Sequence, residues 1–294
     1  MDYEDKEAID YAGIKVFDNP ERTDAEPRLG LVVMSFGSTY AAARKKSIDT
    51  AFRDIAAAFP LVKTVLAFTS SAVRNRIKKA GGGEFPSVED AIEQLKNDGC
   101  TRIALQPLGI LPDNEYEGEY DAFSLLKNQF KRMALGLPLF YWTGQNGTHD
   151  DLREVLQSIQ ETLPVPAEDE AVIICGHGSN HWSNDYFYIL QDTVALLGYE
   201  NYYVIALKGN PTLDDVITKL WRKKINKVVL VPLMMTAGYH VTCDMNGDQP
   251  ESLRRRLENS NINVRVMAQG IAELPGIRKL FIERTAQTIS KLTE

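Results

Sequence analysis

Six short apolar runs divide the chain, and each is rich in residues that favour β-strands. They are LGLVVMSF (29–36), VKTVLAF (62–68), RIALQPL (102–108), AVIIC (171–175), YYVIAL (202–207) and KVVLVPL (227–233). Amphipathic stretches that predict helices lie at 39–58, 87–97, 119–132, 148–162, 184–197 and 213–224. Near-continuous apolar strands that alternate with helices are typical of parallel sheets covered on both faces. The pattern therefore predicts an α/β fold.

Parts of this pattern occur twice in the chain. MSFGS (34–38) and CGHGS (175–179) each contain the end of the first apolar run of a half and the Gly-Ser turn after it. LAFTS (66–70) and IALKG (205–209) each contain the end of the second run. RIALQPLGILPDNEYE (102–117) also aligns with KVVLVPLMMTAGYHVT (227–242). An internal repeat of this kind predicts two similar doubly wound parallel-sheet halves that face a central cleft.

The repeat also aligns candidate functional residues. Counted eight residues from the proline that the aligned segments share, Glu115 in the first half matches His240 in the second. In the turn after the first strand of each half, Phe36 aligns with His177. Because ligands of open parallel sheets bind beyond the carboxyl ends of the strands, we expect His177, His240 and Glu115 to converge in the cleft.

Two histidines and a carboxylate suit a divalent first-row metal ion, with open coordination positions for exchange. Neutral imidazole also accepts a proton near neutral pH. Gly176 and Gly178, on either side of His177, permit unusual backbone angles and close approach of a ligand. The alternative interpretation of His177 is a turn-stabilising or capping histidine. His181 and His149 are interpreted as surface or capping residues.

Further residues near the strand ends are candidates for binding the ligand. Ser38 and Ser70 end two of the repeated segments, and we expect both to line the ligand site. Arg44, in a basic helical stretch after the first strand, and Lys208, after the fifth, are expected to receive ligand carboxylates. The acidic residues around Glu115 are interpreted as a solvated helix face; they are Asp113, Glu117, Glu119 and Asp121.

Composition narrows the function further. The 294 residues carry a net charge of −7, which argues against nucleic acid as a partner because phosphate backbones are bound by dense basic surfaces. The cysteines lack Cys-x-x-Cys spacing and predict neither a disulfide framework nor a structural zinc site. No apolar run reaches the roughly 18 residues of a membrane span. KKAGGGEF lacks the spacing of a Walker A loop, so nucleotide is not predicted as a cofactor.

The domain boundaries follow from the repeat. We expect a flexible amino-terminal extension at 1–28, an amino-terminal lobe at 29–140 and a carboxyl-terminal lobe at 150–294 that carries the histidines. The extension lacks the basic start and apolar stretch of a signal peptide. We expect a cytoplasmic location, with the periplasm as the alternative if a signal peptide has been removed. Assembly into a homo-oligomer is left open.

With these residues in hand, the chain resembles the class II tetrapyrrole chelatases, and among them the sirohydrochlorin cobaltochelatases of the CbiK type. The resemblance covers about residues 29–285 and is carried by LVVMSFGSTY, AFTSSAVRNRI, DNEYE, CGHGSNH, NPTLDDV and VPLMMTAGYHVTCDM. It implies two α/β halves around a cleft, in which histidines matching His177 and His240 place a metal beside a bound tetrapyrrole. An acidic residue matching Glu115 lies nearby in that family pattern.

Two positions depart from the family pattern. Lys208 stands where the family commonly carries a glutamate, and Gly109 stands where a histidine often precedes the acidic segment. Because a protonated lysine has only donors, Lys208 is expected to pair with a ligand carboxylate rather than with a metal ion.

The resemblance implies insertion of a divalent metal into sirohydrochlorin without ATP, in tetrapyrrole and cobalamin biosynthesis. Co²⁺ is the expected ion, with Fe²⁺ and Ni²⁺ as alternatives. Two other functions stay open at this point. One is a non-catalytic haem, tetrapyrrole or metal carrier on a chelatase scaffold, which the departures at Lys208 and Gly109 favour. The other is a two-lobed solute-binding protein with incidental histidines, which would show no metal dependence.

Overall fold

The computed structural model describes residues 13–22, 26–145 and 149–293, and its nine strands form two sheets. The first sheet has the order β1-β5-β4-β2-β3; its strands are β1 (Lys15–Asp18), β2 (Leu29–Ser35), β3 (Lys63–Phe68), β4 (Arg102–Pro107) and β5 (Arg132–Leu135). The second sheet has the order β7-β6-β8-β9; its strands are β6 (Glu170–Gly176), β7 (Tyr202–Ala206), β8 (Lys227–Leu233) and β9 (Asn263–Val266). The pairings are parallel except that of β1 with β5. The predicted α/β class is confirmed.

Helices connect and cover the strands. They are α1 (Ala41–Lys46), α2 (Ile48–Ala58), α3 (Ser71–Lys79), α4 (Val88–Asn97), α5 (Asn114–Leu126), α6 (Asp151–Ile159), α7 (Tyr186–Leu196), α8 (Leu213–Arg222), a π-helix (His240–Met245), α9 (Leu253–Asn259) and α10 (Pro275–Ser290). Ser87 and Thr212 begin α4 and α8 with reciprocal capping boxes, so side chains satisfy amide groups that the first turn leaves unpaired. Among the described residues, none of the helices has the length and apolar character of a membrane span.

The sheet register confirms the internal repeat. The parallel part of the first sheet, β3-β2-β4-β5, has the same order as β7-β6-β8-β9 in the second. Pro107 pairs with Met34 in the first sheet, and Pro232 pairs with Cys175 in the second. The two prolines from which the sequence alignment is counted therefore occupy matching places.

One segment of the predicted flexible extension belongs to the first sheet. Lys15–Asp18 forms β1, which pairs antiparallel with β5 at the edge of the sheet. Phe17 in this strand packs against the apolar core. The sequence signal was missed because four residues with only two apolar side chains are too short for a period to be visible. The same reason explains why β5 and β9, each of four residues, were not predicted.

The last helix packs against the sheet that is distant from it in the sequence. α10 follows β9 of the second sheet, yet it lies against α2, β4 and β5 of the first half. Arg278 Nε donates to Asp54 Oδ2 at 2.6 Å, and Thr288 Oγ1 donates to the buried Gln106 Oε1 at 3.0 Å. This placement differs from the expected lobe at 150–294, because the amphipathic pattern of a helix does not specify which sheet it covers.

A shared core joins the two halves. The larger apolar cluster includes Leu31 of the first sheet, Val172 of the second and Phe281 of α10. The smaller cluster lies on the other face of the second sheet and includes Ile173, the neighbour of Val172. Both faces of β6 are thus covered. His177, directly after the carboxyl end of this strand, is the next exposed residue of the chain.

Candidate active site

Two glycines fix the position of His177 at the end of β6. The strand pairing continues past Gly176, because the Lys208 amide donates to the His177 carbonyl at 3.0 Å. A Cβ on Gly176 would overlap the ring of Phe187, and a Cβ on Gly178 would overlap the Lys208 carbonyl. Gly178 also has a φ of +69°, which favours glycine. The turn therefore brings the chain close to β7 and leaves part of the His177 side chain exposed.

His240 begins the π-helix that follows β8. Its Nδ1 lies 2.6 Å from Asp244 Oδ2. Since an ionised carboxylate only accepts, this contact assigns the ring proton to Nδ1 and leaves the lone pair on Nε2. Asp244 thus orients the imidazole and keeps one ring nitrogen available to a metal ion.

The structure brings the two histidines together although 63 positions separate them (240 − 177 = 63). Their ring centroids are 4.4 Å apart with an interplanar angle of 67°. Burial lowers the pKa of His177, and the nearby His240 and the positive charge of Lys208 lower it further. His177 is therefore neutral at pH 7. A neutral imidazole is the form that donates a lone pair to a metal.

Glu115 lies in the first turn of α5, in the other half of the molecule. Thr69 Oγ1 donates to Glu115 Oε1 at 2.8 Å. Burial raises the pKa of Glu115 to about 7, against the hydrogen bond from Thr69 and with support from the negative charge of Asp113. A carboxyl group that titrates near neutral pH accepts and releases protons with little cost at that pH.

Glu115 does not form a compact three-ligand cluster with the histidines. Within the described ranges, the one set of three metal-binding side chains with ligand atoms within 4.8 Å of one another is His149, Asp151 and Glu154. Arg284 already pairs with both carboxylates of that set: it donates to Asp151 and, at 3.3 Å, to Glu154 Oε2. That cluster is an ion-pair network between α6 and α10. The metal-ligand role of Glu115 stays a prediction.

Loops of the two halves contact each other around the histidines. His181 Nε2 lies 3.1 Å from Glu117 Oε1. Ser183 donates its backbone amide to His181 Nδ1, so Nε2 carries the proton that bonds Glu117. On the other side, Ser38 Oγ lies 3.2 Å from the position that a Cβ on Gly238 would occupy. His181 is the N-cap of the following short helix, as the capping interpretation predicts.

The other predicted ligand-binding residues have different surroundings. Ser38 is buried and accepts the Tyr40 amide at 3.2 Å, and Ser70 caps α3 by accepting the Val73 amide. Lys208 is exposed beside His177. Its side chain is thus free to meet an anionic group of a ligand.

The Arg44 side chain makes its contacts within the first half. Its side chain is buried, its Nε lies 3.3 Å from Asp49 Oδ2, and its guanidinium lies 4.7 Å from the centre of the Phe85 ring. Because the guanidinium group is engaged by Asp49 and Phe85, the structure gives no support for binding of a ligand carboxylate by Arg44. Sequence alone did not separate it from the exposed Lys45 and Lys46 beside it.

The sequence analysis missed Asp244 and misassigned Glu119 to a solvated helix face. Asp244 stands four residues after His240, a spacing that places side chains side by side on a helix. That spacing would have pointed to Asp244, but none of the predicted helical stretches covers residues 240–245. Glu119 is buried behind Glu115 on α5, and burial, together with the charges of Glu115 and Asp113, raises its pKa well above the usual range. It is therefore not part of a solvated face.

Comparison with proteins of known sequence identifies the family. The model of the family described as cobalt chelatase (CbiK) matches residues 29–290. A sirohydrochlorin cobaltochelatase of Salmonella typhimurium is 28% identical over 264 residues, which cover 90% of this chain and 97% of that protein. The sirohydrochlorin cobaltochelatase CbiKC of Nitratidesulfovibrio vulgaris is 28% identical over 239 residues, covering 80% and 82%.

Solved structures show the same fold. SirB from Bacillus subtilis with Fe³⁺ has a TM-score of 0.61 at 16% identity and covers 89% of this chain and 95% of that chain. The sirohydrochlorin chelatase SirB from Bacillus subtilis subspecies spizizenii, in complex with cobalt, has a TM-score of 0.58 at 14% identity, with 90% and 96% covered. The predicted chelatase-like fold is confirmed. Because the family model spans almost the whole sequence, this chain belongs to the CbiK cobalt chelatase family.

Proposed function

We propose that this protein inserts a divalent metal ion, with Co²⁺ as the physiological ion, into metal-free sirohydrochlorin. The observation that carries the proposal is the pair of imidazoles, 4.4 Å apart, one of them neutral through its lowered pKa and the other oriented by a carboxylate. Membership of the cobalt chelatase family supports this ion and this reaction class. The relatives named as sirohydrochlorin cobaltochelatases support the substrate.

The chemistry requires two events at the ring centre. The two pyrrole N–H groups lose their protons, and a partly dehydrated ion takes their place, so the ion enters and two protons leave. His177 and His240 hold the ion on one side of the macrocycle through their free ring nitrogens. Glu115, with its pKa of about 7, accepts the two ring protons one after the other and releases each of them to solvent. A histidine nitrogen bound to the ion has no lone pair for these protons, which is why a separate base is needed.

Lys208 contributes charge rather than a metal ligand. Its exposed ammonium group lies beyond the end of β7, next to the His177 turn. In our proposal it pairs with a peripheral carboxylate of the tetrapyrrole, which orients the macrocycle over the histidines. In this proposal no nucleotide is needed, because the steps are binding of the ion and the tetrapyrrole and transfer of protons from the ring. We also propose that the reaction belongs to cobalamin biosynthesis and takes place in the cytoplasm.

The carrier alternative, a protein that holds a tetrapyrrole or metal without turnover, is not favoured by the comparisons. The same family model and both named relatives point to insertion activity. Absorbance spectroscopy separates the two functions. A chelatase converts metal-free sirohydrochlorin when Co²⁺ is added, whereas a carrier gives a stable ligated spectrum without turnover.

The histidine pair provides the direct test. We expect His177→Ala and His240→Ala each to reduce cobalt insertion at least about 100-fold, since removal of one metal ligand leaves a single weak donor. Insertion is measured by the absorbance change of sirohydrochlorin with Co²⁺, and then with Fe²⁺ and Ni²⁺. His149→Asn is the control, because His149 lies in the separate network with Glu154. Full activity in either site variant, with unfolding behaviour like the wild type, would refute the proposed site.

A further inference from the structure

Phe36 occupies the place in the first sheet that His177 occupies in the second. Each residue directly follows the last residue of its strand, β2 or β6. Each precedes a glycine with positive φ, +85° at Gly37 and +69° at Gly178. The two turns therefore have the same course, but one presents a phenyl ring where the other presents an imidazole.

Backbone hydrogen bonds confirm that the two turns match. The Thr69 amide donates to the Ser35 carbonyl at 2.9 Å, and the Leu207 amide donates to the Gly176 carbonyl at 2.9 Å. In each half, the amide of the first residue after the second parallel strand donates to the carbonyl of the last residue of the first parallel strand. This geometry fixes where the next side chain, Phe36 in the first half, leaves the sheet.

Phe36 lies in a loop that contacts the His240 loop. The side chain is 55% exposed, although phenylalanine is among the residues most often buried. Two residues further on, Ser38 approaches Gly238, and the Tyr40 side chain lies close to Cys243 of the π-helix. An exposed apolar ring is thus held at the opening between the halves rather than on a remote surface.

We propose that Phe36 packs against the face of the tetrapyrrole opposite to the face that His177 and His240 approach. This inference rests on the proposed function. Matching turns of two similar halves that face one cleft present their side chains from opposite sides, and a planar conjugated ring fits between them. Aromatic rings gain favourable stacking with such a surface beyond the area they bury. Phe36 is a positioning residue, because it holds the macrocycle in one plane while the ion arrives from the other side.

The test compares Phe36→Ala with Phe36→Tyr. We expect Phe36→Ala to weaken binding of metal-free sirohydrochlorin about tenfold and to raise the KM for it by a similar factor, in keeping with the loss of one aromatic contact. Phe36→Tyr keeps the aromatic face and should stay within about twofold of the wild type. Binding is followed by the absorbance of the tetrapyrrole, and turnover by cobalt insertion.

Two controls separate stacking from a general effect. Trp221→Ala removes an aromatic side chain of similar exposure, 59%, from the last turn of α8. That turn leads to the amino-terminal end of β8, away from the cleft, so tetrapyrrole binding should not change. Binding of Co²⁺ alone should be the same in Phe36→Ala and the wild type, because the histidines are intact.

The outcomes also distinguish this inference from the proposed function. If the wild type converts sirohydrochlorin and Phe36→Ala binds it equally well, the role of Phe36 is refuted while the proposed function stands. If the wild type neither binds nor converts sirohydrochlorin, both fail. Weaker tetrapyrrole binding with unchanged Co²⁺ binding, and recovery in Phe36→Tyr, supports the stacking role.

Discussion

The pKa of His177 is lowered and the pKa of Glu115 is raised. Near neutral pH, both shifts favour the neutral form of the side chain. The lowered pKa of His177 keeps its imidazole neutral, and the pKa of about 7 keeps Glu115 ready to exchange a proton. Burial is the main cause in both cases, because it disfavours the charged form of either group. At the residue scale, the site thus combines a lone-pair donor for the ion with a separate proton acceptor.

The pH dependence of insertion follows from these shifts. Below pH 7 Glu115 becomes protonated, while His177 stays neutral until its lower pKa is reached, so Glu115 sets the acid limb. We expect kcat/KM for sirohydrochlorin to fall about tenfold per pH unit below an apparent pKa near 7. Glu115→Gln should lower the plateau and move the remaining limb below pH 6.5. An unchanged limb in Glu115→Gln would exclude this carboxyl as the base.

At the element scale, the π-helix after β8 determines how His240 is presented. His240 and Asp244 lie one turn apart, and their contact of 2.6 Å holds the ring. The six apolar runs predicted six strands with ends close to those observed, since long strands covered on both faces leave a clear apolar record. The six-residue π-helix has no comparable apolar pattern, and no predicted element covers its segment.

Asp244→Ala tests the orienting role of this element. Loss of the carboxylate frees the His240 ring and its tautomer, so we expect about 10- to 100-fold weaker Co²⁺ binding and a similar loss of insertion at subsaturating metal. Calorimetric titration with Co²⁺ measures the affinity. Asp248→Ala is the matched control, because Asp248 is 85% exposed and contacts Arg254 instead. Equal Co²⁺ affinities of the two variants would contradict an orienting role for Asp244.

At the scale of the whole molecule, α10 and the shared core make the two halves one folding unit. Phe281 is fully buried in the cluster that contains residues of both sheets, and Arg278 of the same helix bonds Asp54. Because both halves share this core, we expect Glu115 of the first half to keep its position relative to the histidines of the second. The repeat predicted two similar halves, but it carried no information on this crossing helix.

Phe281→Ala tests the common core. We expect a loss of about 3–5 kcal/mol in the free energy of unfolding, because a large buried ring leaves a cavity. Denaturant unfolding followed by tryptophan fluorescence and by circular dichroism should give one coincident transition at a lower midpoint. Lys279→Ala on the exposed face of α10, with a side chain that is 77% exposed, should change stability by less than about 0.5 kcal/mol. Separate transitions for the two probes would show that the halves unfold independently.

The sequence by itself determined the six longer strands, the repeat, and the position of His177, His240 and Glu115 in segments that follow strand ends. These features are local, because the periodicity of apolar residues and the glycines of a turn act within a few neighbours of the chain. Only the tertiary structure decided that Asp244 orients His240, that Arg44 is used inside the first half, and that α10 covers the distant sheet. It also decided the pKa values of Glu115 and Glu119, since these depend on which segments exclude water from the carboxyl groups. An amphipathic pattern shows that one face of a helix is covered, but it does not specify which segment covers that face.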